Sequence, residues 1–162
     1  MITPTRMPPG VFHERPAKVG DLLVQFEREH RQARHTIAFG ADGVLLGHAA
    51  EADDHNARIR AEQYAAVAYG HTCLTAQLAR MWSGASAAEA EHLAVRYRRP
   101  APAGQAKAAP WWVLIQPITG WGGLVTEIPD APAGSPQTVL TALEQCAARV
   151  SDALARAREA SR

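Results

Sequence analysis

A chain of 162 residues, 47% hydrophobic and 20% charged with a net charge of +1, has enough apolar material for one globular core and little room for a second. Its near-neutral balance excludes the strong basic or acidic fields that draw a protein to nucleic acid or to an anionic membrane surface. No apolar run approaches the ~20 residues that span a bilayer, the stretch MITPTRMPPGVFHERP lacks the apolar core of a secretory signal, and two cysteines cannot make a disulfide framework. A cytoplasmic protein without a transmembrane segment is expected.

Residues 1–17 carry four prolines without hydrophobic periodicity and read as a disordered arm, leaving 18–162 as one domain. Val19, Leu22, Leu23 and Phe26 then mark a short amphipathic helix. His35–Phe39 reads as a strand, and Asp42-Gly43 after it is a hairpin signal because glycine tolerates positive φ. The returning strand, Val44–His48, is apolar on both faces, which predicts an inner position in a sheet covered on each side. A polar connection from Glu51 to Asn56 offers Asp53, Asp54 and Asn56 as caps for the next helix.

That helix, Ile59–Trp82, is alanine-rich and proline-free. At 100° per residue, Val67, Gly70, Leu74, Leu78 and Met81 share the stripe expected to lie on the core. Ile59, Ala66 and Cys73 run along one flank; Tyr64, Ala68, His71, Thr75 and Trp82 run along the other. Apolar flanks beyond the core stripe predict a second packing partner. Cys73 and Cys146, both in helical patterns, are expected as small buried thiols.

Ser83–Ser86 breaks the helix. A third strand, His92–Arg99, sets Leu93, Val95 and Tyr97 on one face and Arg96 and Arg98 on the other. Residues 100–110 form a low-complexity loop. The fourth strand, Trp111–Ile118, contains Pro117, which cannot donate to a ladder and implies a bulge, an edge or the strand's end. Gly122–Ile128 is a fifth strand. Ser135-Pro136 supplies a cap and a first-turn proline for the last helix, which carries Val139, Leu143, Cys146, Val150 and Leu154 on one face. The order α-β-β-α-β-β-β-α predicts an α+β fold with an antiparallel sheet covered by helices.

Chemistry is sparse. The seven histidines include no i, i+4 helical pair and the cysteines no C-x-x-C, so no metal site is expected. Gly120-Trp121-Gly122-Gly123 precedes a strand, not a helix, and reads as a turn, not a phosphate cradle. No Gly-x-Ser-x-Gly elbow occurs. Asp42 has a sufficient role in its turn, and Arg96, Arg98 and Arg99 lack the interleaved aromatics of a nucleic-acid face. No catalytic residues, no cofactor and no enzymatic activity are expected.

Leu22-Leu23, Ile37-Ala38-Phe39, Ala41-Asp42-Gly43-Val44-Leu45-Leu46 and the Ala65-Ala66-Val67-Ala68-Tyr69-Gly70 segment of a long alanine-rich helix together resemble the Roadblock (dynein light chain) family, in its bacterial branch associated with small Ras-like GTPases. The resemblance covers about residues 18–157. It implies a five-stranded antiparallel sheet between the long helix and the two terminal helices. It also implies a homodimer in which long helices pair and third strands meet, and a partner GTPase whose nucleotide cycle the dimer modulates without an active site of its own. On that reading Ile59, Ala66 and Cys73, with Arg96 and Arg98 of the third strand, form the dimer interface. Tyr64, Ala68, His71 and Thr75 then form the partner-binding flank. Two other functions stay open: a small-ligand sensor of similar topology with Trp111, Trp112 and Trp121 lining a pocket, and a protein-interaction scaffold without a GTPase.

Overall fold

The computed structural model describes residues 11–50, 54–86, 91–98, 100, 103–104, 109–118, 120–130 and 135–162. Eight elements follow in chain order: α1 (Val11–Glu29), β1 (Arg34–Gly40), β2 (Leu45–His48), α2 (His55–Ser83), β3 (Leu93–Arg98), β4 (Pro110–Ile118), β5 (Gly122–Pro129) and α3 (Pro136–Glu159). The strands form one antiparallel sheet ordered β2-β1-β5-β4-β3. The α+β order and the five-stranded sheet are those read from the sequence.

Alternation along the strands divides the core in two. Ala38, Leu114, Leu124 and Ile128 point to the side covered by α1 and α3, where they meet Leu23, Phe26, Val139, Leu143 and Val150. Ile37, Phe39, Ile115 and Val125 point to the side covered by α2. On α3 the five residues of the predicted face are all buried, and Ser135 caps the helix by accepting from the Gln137 amide, with Pro136 in the first turn.

The β1–β2 turn closes as expected. Gly43 takes φ +78°, the Asp42 carboxylate accepts from the Val44 amide, and the Gly40 amide donates to the Val44 carbonyl at 2.8 Å. Gly122 starts β5 at φ +124°, where a Cβ would fall 2.1 Å from the Phe39 carbonyl oxygen. Only glycine fits so close to a neighbouring backbone.

Four expectations need correction. Helix α1 begins at Val11, so residues 11–17, placed in the arm, have helical backbone; residues 1–10 lie outside the described residues. Strand β2 is an edge, not an inner strand. It is covered on one face by α1 and on the other by α2, and coverage of both faces is compatible with having a single lateral neighbour. Cys73 is exposed, whereas Cys146 is buried.

The largest correction concerns α2. Its buried residues are Ala61, Ala65 and Ala68, while Val67 is 59%, Leu74 55% and Met81 70% exposed. The stripe assigned to the core therefore points outward. Alanines at i, i+4 and i+7 let the helix lie close on β1, whose Ile37 and Phe39 supply the bulk that the helix lacks. Pro117 sits one residue before the end of β4, still in register with Gly123, which selects the strand-end reading. Of the predicted caps, Asp54 is the one used, its carboxylate accepting from the Ala57 amide at 3.0 Å. Asp53 and most of the 100–110 loop lie outside the described residues.

Candidate interaction face

Helix α2 has 29 residues, about 43 Å at 1.5 Å per residue. All three buried residues fall between 61 and 68, and none from Gly70 to Ser83 is buried. Its chief neighbours are β1 and β2, so the sheet surface toward β4 and β3 has a thinner cover. Val95 of β3 is accordingly 43% exposed, although it lies on the face that was expected to be apolar.

Between α2 and those strands runs a groove of about 280 Å³. Val67, Ala68, Val95, Val113, Ile115 and Val125 give it aliphatic walls, and His35, Tyr64, His71 and Glu127 supply its polar groups. The groove adjoins an exposed apolar ridge on α2, made by Ile59, Val67, Leu74, Met81 and Trp82. Large apolar side chains left exposed along one helix, next to an apolar groove, mark an interaction site.

The sequence-selected residues separate on this framework. Ile59, Ala66 and Cys73 are all exposed, beside the outward stripe of Val67, Leu74 and Met81. Tyr64 and His71 are exposed and line the groove, and Thr75 is half-buried. Ala68 is 3% exposed in the core under α2, so it belongs to the helix's inner face and not to an outward flank. Arg96 and Arg98 are exposed on β3. The Arg96 guanidinium is engaged by Asp130 at 2.6 and 2.8 Å and holds that carboxyl below the usual carboxylate range.

The tryptophans do not gather into one pocket. Trp112 and Trp121 pack against the core on the α1–α3 side, whereas Trp111, next to Trp112 in β4, alternates to the other face. None of the three lines the groove. Among the described residues, no group of three or more His, Cys, Asp or Glu side chains is placed to hold a metal ion, and no helix is long and apolar enough to cross a membrane.

Sequence reasoning did not find His35. It stands at φ +53°, where the β1–β5 register shifts between Arg34 and Ile37, and its ring meets Tyr64 edge-on at 6.2 Å. A bulge of this kind re-aims a side chain, and nothing in the local sequence distinguishes it from regular strand. Tyr69 lies over Gly43, and the nearby Cys73 thiol raises its phenol above the ordinary value.

No family model and no curated protein matches the sequence. Among solved structures the chain is similar to Myxococcus xanthus MglB, at a TM-score of 0.56 and 13% identity, over 88% of this chain and 96% of that one. At that identity the likeness concerns the fold alone, which is roadblock- or longin-like.

Proposed function

We propose that this chain is a non-enzymatic, dimeric scaffold that binds a small Ras-like GTPase and modulates its nucleotide cycle or its localisation. The observation that carries the reading is the outward apolar face of α2 with the groove beside it, on a roadblock- or longin-like fold. Bacterial members of the family that the sequence resembles use such a dimer to hold a GTPase.

A second copy suits this face. An antiparallel pairing of two α2 helices centred on Gly70, whose Cα has no heavy atom near the position of a Cβ, sets Ile59 against Met81, Ala66 against Leu74 and Val67 against Cys73. Val67 and Leu74 then each meet a small side chain and Ile59 meets Met81, with Gln63 falling opposite Gln77, and the small residues let the helices approach to the ~8–10 Å of close packing. The free edge of β3 agrees with the same two-fold. Centred on Val95, a β3–β3 pairing puts Arg96 opposite Ala94; centred on Arg96, it would set two guanidinium groups directly opposite each other, which is destabilising. The exposed surface left on the assembled dimer is then available to a GTPase.

Calorimetric titration with the candidate GTPase, loaded with GDP or with a GTP analogue, tests the proposal. Binding that depends on the nucleotide is expected at micromolar concentrations. No binding in either state would end the GTPase reading, and a monomeric mass by light scattering would end the dimer. A small molecule that copurifies and raises the melting temperature would favour the sensor alternative.

A further inference from the structure

We infer that association through the α2–β3 face is proton-linked, weakening as His35 and His71 take up protons. This rests on the dimer reading above, and the experiment below separates the failure of one from the failure of the other.

The groove that a second copy would cover is aliphatic except at four side chains. Two of them are imidazoles, both exposed in the single chain. His71 lies one turn beyond Val67 on α2. His35 is fixed by the bulge beneath it. The Thr36 amide donates to Glu27 at 2.8 Å, the hydroxyls of Thr36 and Thr126 share a hydrogen bond of 2.8 Å, and the Thr126 hydroxyl reaches the Arg34 carbonyl at 3.2 Å. With its neighbours held on both sides, His35 keeps a left-handed backbone and presents its ring to Tyr64 and the groove. A sparsely populated backbone conformation that the surroundings enforce is a mark of function.

The charges around these rings decide the sign. From α2 come Arg60, Tyr64 and His71, and from β1 comes His35, the neighbouring Arg34 guanidinium being turned to the carbonyls of Arg31 and Ala33. From β2 comes His48, in an adjoining cavity of about 40 Å³ that also touches His35, Arg60 and Tyr64. From β5 comes Glu127, and β3 and β4 contribute only Val95, Val113 and Ile115 to the groove. One carboxylate thus faces two imidazoles, with Arg60 nearby. Even with the Glu127 charge set wholly against one imidazolium, the second would lose its water without a counter-charge, which is strongly unfavourable. Neutral imidazole is buried at far lower cost. The separated chains therefore bind more protons than the dimer, so association strengthens as pH rises. The two-fold repeats every group, so the linkage counts twice.

The dimer dissociation constant of the full chain, measured by sedimentation equilibrium at about pH 7.5 and about pH 5.5, tests this. We expect it to rise on the order of tenfold or more at the lower pH. In the double variant His35→Asn, His71→Gln, the dependence should flatten to within about twofold, asparagine being tolerant of the left-handed backbone. Circular dichroism melts at both pH values establish that each protein stays folded. A dissociation constant that ignores pH, or tightens in acid, overturns the linkage while leaving the dimer standing. Full pH dependence in the double variant overturns the assignment to these histidines. A monomer at both pH values overturns the dimer reading and this inference with it.

Discussion

Leu74→Ala discriminates between the two faces that α2 could present. In the structure Leu74 is 55% exposed, so the single chain has little to lose when it is truncated. Were Leu74 on the core stripe, as its spacing first implied, the substitution would lower the unfolding free energy by about 2–5 kcal/mol. On the outward face its cost falls on association instead. Removing about three methylene equivalents at ~0.8 kcal/mol each, scaled by the 55% of surface still open, gives ~1.3 kcal/mol per chain. The two-fold counts that twice, giving ~2.6 kcal/mol, or roughly an 80-fold rise in the dissociation constant. Urea unfolding measured well below the wild-type dissociation constant isolates the chain's own stability, and sedimentation equilibrium reads the dimer. The expected result is an unfolding free energy within about 0.5 kcal/mol of wild type and a much weaker dimer. A loss of several kcal/mol in the isolated chain with an unchanged dimer would refute the placement of Leu74.

Three further outcomes follow from local chemistry. Thr126→Val strands the fully buried Thr36 hydroxyl and removes the donor to the Arg34 carbonyl; urea unfolding should show a loss of about 1–3 kcal/mol, with part of it recovered when Thr36→Val is added. Asp130 is held below the usual carboxylate range by Arg96, so the stability it contributes is present above the unfolded-state value and is lost as pH falls through the lower folded value. Arg96→Gln should move the Asp130 carboxyl back up in an NMR titration, and an unmoved titration would show that the ion pair is not the cause. Burial pushes the Cys146 thiol up to about 11, whereas Cys73 is exposed. A thiol reagent near pH 8 should therefore modify one cysteine in the native chain and both after unfolding, and two fast thiols would show the α3 core to be open.

The parts of the fold that were legible in the sequence are those in which one residue type has one physical role. Asp42-Gly43 has to turn, Ser135-Pro136 has to start a helix, and the Val139–Leu154 face of α3 has no competitor for burial. Helix α2 was misread because periodicity reveals that a helix has an apolar stripe, not what covers it. The large residues at 67, 74 and 81 gave the stronger pattern, yet the alanines at 61, 65 and 68 hold the sheet, because Ile37 and Phe39 rise from β1 to meet them. The small-residue row at i, i+4 and i+7 was the available signal. It implies a helix lying close on a bulky surface, and so frees the large residues for another partner. The groove was less legible still. Its walls come from residues as distant as His35 and Glu127, and its polar corner depends on a bulge fixed by Glu27 and Thr126 from other elements. A sequence window shows neighbours along the chain, whereas this site is made by the pairing of β1 with β5 and by the position at which α2 crosses them. The same reasoning makes the exposed α2 row informative: valine, leucine and methionine at seven-residue spacing on an outward helix face are worth burying, and the single chain leaves them open.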